Sequence, residues 1–208
     1  QLLLKNRSKK QIIKVQGVFG PHNTQVFKAY QFYRELGVDS FEFNFDQSSS
    51  DENASKHFVT EMEKVCKHTF ENGGETALRQ IHFFDQLFSQ MDEHYRIENF
   101  CGSGRSYAVI DANNVVFDCP WSANDLSAKI SQGTDFKPEQ LQHLKTTSIS
   151  TNNCQQCWAR HLCGGGCAWA HKQATGNKTR PDLIFCNRTR NLISQGILYY
   201  YLSRKELT

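Results

Sequence analysis

Four cysteines within fourteen positions constrain this chain more than any other feature. They run Cys154-Gln-Gln-Cys157-Trp-Ala-Arg-His-Leu-Cys163-Gly-Gly-Gly-Cys167, a C-x2-C-x5-C-x3-C spacing. Two residues between thiolates let a backbone turn present both sulfurs to one metal centre. Gly164-Gly165-Gly166 removes three β-carbons, so the backbone can wrap closely and bring N–H groups toward sulfur. The other four cysteines stand at 66, 101, 119 and 186. Eight in 208 residues is about half the density of a small disulfide scaffold, and a chain of this length can bury its own core. No secretory signal is legible, so a reducing, cytoplasmic compartment is expected, where clustered thiols bind metal.

Ligand arithmetic leaves two metals open. Zinc takes four ligands in tetrahedral geometry. Seven late cysteines would close one such site and leave three, which His161 or His171 would complete to a second. Iron–sulfur clusters are held by cysteine thiolates too, and a cluster with three cysteines keeps one iron for another ligand. From Cys154 onward eight Lys and Arg face two carboxylates, while the rest of the chain is acidic on balance. Such cations would offset an anionic cluster, or simply form a solvated basic face. Arg160, lying between two of the thiols, is the better candidate for a cluster or substrate contact. Trp121, Trp158 and Trp169 read as packing residues or as shields against water.

The first hundred residues have a different texture. Ile12–Phe19 reads as a buried strand. A helix follows, capped by Asn23 or Thr24, with Val26, Phe27, Tyr30, Tyr33 and Leu36 on one face. Ser40–Asp46 alternates, with Phe41, Phe43 and Phe45 to one side, as a second strand. Strand, helix, strand implies a parallel pair. A helix from about Ala54 to Glu71 carries Phe58, Met62, Val65, Cys66 and Thr69 on its stripe, which makes Cys66 a core residue. Another is expected from Glu75 to about Tyr95. Two strands flanking Ala112-Asn113-Asn114 form a hairpin, and a closing helix spans about Arg188–Lys205. The domain boundary falls near residue 97.

Composition excludes several function classes. A net charge of +3 is too weak to argue for nucleic acid. The longest apolar run, Ile197–Leu202, is far short of the roughly 20 residues of a membrane span. With 12% aromatic residues, the chain has ample material to bury, unlike a disordered one.

The cysteine spacing, followed by Cys186 and preceded by Cys101 and Cys119 around a hairpin, resembles the SPASM domain of radical SAM enzymes. The family pattern opens with a cysteine, a spacer, a glycine, four residues and a second cysteine. Asn114 stands here at the glycine position, and Asn tolerates the same positive φ. The upstream strands are similar to the last strands of the family's partial barrel. The resemblance therefore implies an α/β fold: the C-terminal strands and helices of a partial (β/α) barrel over residues 1–97, then a small cysteine-rich, loop-rich SPASM iron–sulfur domain, with a hairpin and a closing helix, over 98–208.

The resemblance also implies two auxiliary 4Fe–4S clusters, one on Cys101, Cys119 and Cys167, the other on Cys154, Cys157, Cys163 and Cys186. Fully ligated members carry a further cysteine six residues after the first, where this chain has Tyr107, so an open or non-cysteine site is expected there. The C-x3-C-x2-C that binds the S-adenosylmethionine-cleaving cluster is missing. The chain is thus expected to be the C-terminal portion of a peptide-modifying radical enzyme, not competent alone. In that enzyme a deoxyadenosyl radical would take a hydrogen from a substrate peptide, and flavodoxin or ferredoxin would supply electrons. Sulfatase maturases place a catalytic Asp directly after the second cysteine; Pro120 stands there, and Asp118 on the other side is the candidate base. Asn23 is the candidate S-adenosylmethionine contact. The alternatives are a zinc-binding interaction module and a stand-alone iron–sulfur electron-transfer domain.

Overall fold

The computed structural model describes residues 2–8, 10–123, 125–137, 139–140 and 148–205. They divide into two compact units, residues 1–96 with 183–208, and residues 97–182.

In the first unit a short helix, α1 (Leu2–Asn6), precedes β1 (Lys14–Phe19), α2 (Val26–Glu35) and β2 (Ser40–Phe45). The two strands pair in parallel, Lys14 opposite Ser40 and Phe19 opposite Phe45. The expected strand–helix–strand unit is present, and its cause is the alternation in β2: Phe41, Phe43 and Phe45 are buried while their neighbours are not. Ile12 lies before the strand and is exposed. Tyr30 from α2 closes over Phe41 with ring centroids 5.1 Å apart, an edge-to-face geometry that adds to the apolar burial. The start of α2 differs from expectation. Gln25 is the cap residue and makes no side-chain cap bond. Glu61 supplies the acceptor instead, taking the Phe27 N–H at 3.1 Å where the helix leaves its first N–H groups unsatisfied.

Helix α3 (Glu52–Glu71) starts earlier than the apolar stripe suggests, because the Asp51 side chain accepts from the Ala54 N–H. Phe58, Met62, Val65, Cys66 and Thr69 are all buried. The single helix expected over 75–95 is two, α4 (Gly74–Leu78) and α5 (His82–Asp92). The break has a tertiary cause: Ile81 adopts extended backbone and bridges to Phe41, whose N–H donates to the Gln80 carbonyl at 2.8 Å. Tyr95 lies beyond the helix and is exposed.

The closing helix begins five residues earlier than expected. It runs from Leu183 to Lys205 and packs on α3 within the first unit. Gly196 is where it approaches α5; a β-carbon there would stand 2.3 Å from Leu87 Cδ2. At its far end Arg204 and Arg79 share Glu75 and Asp92, with Arg204 Nη2 2.7 Å from Asp92 and Arg79 Nη2 2.7 Å from Glu75. The Tyr200 hydroxyl donates to Asp92 at 2.7 Å.

The second unit is built around a three-stranded antiparallel sheet, β3 (Val109–Ile110), β4 (Val115–Phe117) and β5 (Lys129–Gln132). The hairpin turn is as expected: Asn114 has φ of 59°, and Asp111 Oδ1 accepts the N–H groups of Asn113 and Val115, both at 2.8 Å. The third strand was not expected. Short helices α6 (Ser148–Thr151), α7 (Arg160–Cys163) and α8 (Ala168–Thr175) complete the unit. Its core is small, chiefly Val115, Val116, Phe117, Ile149, Ala159, Ala170 and the ring of His171.

Candidate metal centre

Residues 101–107 form a tight loop. The carbonyl of Gly102 accepts the N–H groups of Arg105 and Ser106 at 3.0 and 2.8 Å, and Gly104 N–H returns to the Tyr107 carbonyl at 3.0 Å. The Tyr107 ring therefore lies over Gly102, where a β-carbon would be 3.3 Å from ring Cδ1. Ser103 ties the loop to the end of β4, its hydroxyl donating to the Asp118 carbonyl at 2.7 Å.

Two thiols and a phenol of this unit are pushed above their ordinary pKa values. Burial pushes the Cys119 thiol up, reinforced by Asp118 and Cys101, while the N–H groups of Trp121 and Ser122 favour its anion. Cys167 sits just before α8. Burial raises it too, the N–H groups of Ala170 and Trp169 work the other way, and Cys101 and Cys119 add to the rise. The third group is Tyr107. Burial, with the Cys101, Cys119 and Cys167 thiols adding to it, pushes its phenol up to about 12. Cys101, Cys119 and Cys167 all lie in the second unit, together with Tyr107.

Cys154, Cys157 and Cys163 are strung along one wrapped segment. Cys157 N–H donates to the Cys154 carbonyl at 2.9 Å, and Cys163, last residue of α7, donates to Ala159 at 2.8 Å. Burial raises the Cys154 thiol, and the neighbouring Cys157 raises it further. Arg160 reaches back to the Cys157 carbonyl at 3.2 Å, bracing the turn. The three glycines that follow all take positive φ: 71°, 91° and 81°. What they admit is protein backbone. A β-carbon on Gly164 would stand 2.5 Å from the Asn99 carbonyl carbon, and one on Gly165 would stand 2.7 Å from that of Ser148. The Gly165 carbonyl accepts from Asn152 Nδ2 at 2.7 Å.

His171, one of the two possible histidine ligands, has a structural task. Its ring is fully buried, Nδ1 accepts the Asp182 N–H at 3.1 Å, and Nε2 lies 3.2 Å from the Gly165 carbonyl. An accepting Nδ1 assigns the proton to Nε2, and burial holds the ring's pKa below the ordinary value. Trp121 and Trp158 are largely exposed and pack no core. Trp169, in contrast, buries an indole N–H that finds no acceptor among the described residues, two positions after Cys167, where buried donors are normally paired.

Asp118 forms an ion pair with Lys178 at 2.7 Å and accepts the Ser122 hydroxyl at 3.0 Å. Both oxygens are engaged, and the residue clamps the end of β4 to the loop after α8. It also borders a cavity of about 280 Å³ that Cys101, Asn152 and Lys178 help to line. Asn23 lies in the turn after β1, its side-chain amide donating to the Val18 carbonyl at 3.3 Å. Cys66 is buried in the first unit, its thiol donating to Gln195 Oε1 at 3.8 Å. Cys186 falls in the first turn of the closing helix, in that same unit.

The basic surplus after Cys154 is partly an artefact of counting by segment. Lys178 pairs with Asp118 and Lys172 with Asp125. Arg204 pairs with Glu75 and Asp92, and buried Arg188 lies over the Phe45 ring at 4.3 Å. All eight cysteines are free thiols. Among the described residues no three His, Cys, Asp or Glu side chains are drawn close enough to hold a single metal ion. No described helix is long and apolar enough to cross a membrane.

No family model matches the chain, and no curated protein matches it. Among solved structures it is similar to native anSMEcpe with bound AdoMet and Cp18Cys peptide, with a TM-score of 0.66 at 12% identity, over 94% of this chain and 58% of that one. It is similar also to hexahistidine-tagged anSMEcpe with bound AdoMet, with a TM-score of 0.61 at 13% identity, over 92% of this chain and 57% of that one. The chain thus spans less than two thirds of the length of these structures. At such identity the likeness is one of fold alone, that of a mixed α/β chain.

Proposed function

We propose that the chain is the C-terminal part of a radical SAM enzyme that modifies a peptide or protein, and that its cysteine-rich unit holds auxiliary 4Fe–4S clusters. The observation that carries this reading is the likeness of fold to anSMEcpe over 94% of the chain, in a chain that carries the C-x2-C-x5-C-x3-C run. The buried Trp169 indole N–H, which has no acceptor among the described residues and stands two positions from Cys167, is a proposed donor to such a group.

Cys154, Cys157, Cys163 and Cys186 are the ligands proposed for a second cluster, with Cys186 resting on the resemblance alone. Auxiliary clusters supply one-electron chemistry beside a substrate. This chain's own residues shape where they sit: the glycine loop holds the thiol-bearing segments together, and buried N–H groups favour the thiolates. AdoMet and peptide, which the anSMEcpe structure carries, are the proposed substrates of the whole enzyme. Asn23 and Asp118 are the proposed AdoMet contact and base; for Asp118 the base role requires release from Lys178.

Anaerobic iron, sulfide and zinc analysis with an absorption spectrum tests the reading. About eight iron with matching sulfide per chain is the expected result for two clusters. One or two zinc with no iron after reconstitution overturns it in favour of a zinc module.

A further inference from the structure

A second cavity, of about 340 Å³, lies in the first unit between α3 and the closing helix. Both helices face it at i, i+3, i+4 and i+7, from Glu52 to Val59 and from Ile184 to Asn191. The deepest charge in its wall is Arg188, which is 6% exposed. Its Nη1 donates to the hydroxyl of Ser55, another buried wall residue, at 3.1 Å. Its guanidinium carbon lies 4.3 Å from the Phe45 ring centroid and 5.1 Å from that of Phe185. The bond and the two rings hold in place a planar fork that stays protonated at any working pH. Phe45 is the last residue of β2, so the buried cation stands at the carboxyl end of the parallel pair. That is the end at which parallel α/β sheets hold their ligands.

We propose that this cavity is a carboxylate-binding site, in which Arg188 takes the acid through its guanidinium fork. Charge selects the ligand. The wall carries two cations, Arg188 and Lys56, against one carboxylate, Glu52, a formal surplus of a single positive charge. Lys56 and Glu52 pair with each other at 2.7 Å on the exposed rim, which leaves the surplus at the buried end. A carboxylate matches it. A phosphate ester carries about −1.5 to −2 and meets the Glu52 carboxylate as well. Size agrees, since ligand cavities begin at about 300 Å³, which suits a short acid or one side chain. Val59 and Ile184 supply apolar wall for its methylenes. The acid is an acidic side chain of the substrate peptide or a free organic acid. The peptide source rests on the function proposed above; the carboxylate assignment does not.

The test follows amide chemical shifts of the isotope-labelled full chain at neutral pH. The probes are butyrate, the peptide acetyl-Ala-Ala-Glu-Ala-Ala-amide, its Gln counterpart, and inorganic phosphate. Butyrate is expected to give saturable shifts confined to the two wall segments, with affinity about tenfold lower in Arg188→Gln. Should Arg188→Gln fail to fold, two variants of exposed wall residues decide. Glu52→Gln is expected to tighten butyrate binding about threefold, and Thr60→Glu to weaken it by a similar factor. Equal affinity in wild type and Arg188→Gln overturns the assignment, as do unchanged affinities in both rim variants, shifts scattered over the surface, or tighter binding of phosphate. A Glu peptide that binds where its Gln counterpart does not supports the peptide source, and butyrate binding without any response to the Glu peptide overturns that source. Failure of the function proposed above is distinct, because it is read from iron and sulfide content, which these titrations do not touch.

Discussion

Individual residues carry constraints that can be measured one at a time. At Gly164 and Gly165 a left-handed backbone meets another stretch of main chain at van der Waals contact or closer. The left-handed conformation alone costs an alanine about 1–2 kcal/mol, and the backbone overlap adds to that. Gly165→Ala is therefore expected to lower the thermal midpoint of the cysteine-rich unit and to reduce iron retention together. A variant that keeps both would contradict the loop geometry. His171 predicts a pH dependence. Burial depresses its folded pKa, so below about 6.5 the unfolded chain takes up a proton that the folded chain refuses. Stability from this group is full above that pH and falls as the pH drops through it toward the folded value. Urea midpoints are expected to decline more steeply in wild type than in His171→Gln over that range; parallel curves would refute the neutral, buried ring.

Single elements show how far local pattern reaches. The parallel pair was legible because alternation in Ser40–Phe45 is a local signal with one solution. The division between α4 and α5 was not, because the apolar spacing runs straight through Ile81 and the strand that claims it is forty residues away. Strand β5 escaped notice for a related reason: Lys-Ile-Ser-Gln has no alternation of its own, and it pairs across an irregular register with β4.

The closing helix yields two expectations at this scale. Gly196→Leu is expected to destabilise by about 1–3 kcal/mol through overpacking against Leu87, read as a loss in denaturation midpoint. Glu75 and Asp92 have their carboxyls held low by Arg79, Arg204 and Tyr200, against an opposing burial effect. Their contribution is present above the unfolded carboxylate pKa and lost as pH falls through the lowered folded values. With side chains this exposed, Arg204→Ala is expected to cost only about 1 kcal/mol near neutrality, and less in acid. A cost unchanged from neutral to acid pH would argue against the network.

At the scale of the whole molecule the two units differ in what holds them. The first has an aromatic-rich core running from Phe19 to Ile193. The second buries few apolar side chains, and a small core is usually supplemented by bound metal or covalent staples. Anything bound by the folded state alone stabilises it in proportion to the logarithm of its saturation. Chelating the iron of the reconstituted protein is therefore expected to raise amide exchange in residues 97–182 and in the first turn of the closing helix around Cys186, and to leave β1, β2 and α3 nearly as protected as before. Equal loosening of β1, β2 and α3, or no loosening anywhere, would contradict the proposed ligand set.

The closing helix also sets an order on synthesis. A ribosome delivers the chain from its N-terminus, yet α3 is completed by a helix that begins only at Leu183. Until that segment emerges, the face bearing Met62 and Cys66 has no Gln195 or Ile193 to cover it. The intervening cysteine-rich stretch is contiguous and will have left the exit tunnel first. During that interval Cys66 and the other thiols that have already left the ribosome are exposed together, so chains arrested before the closing helix emerges are where wrong disulfides and misplaced iron should accumulate.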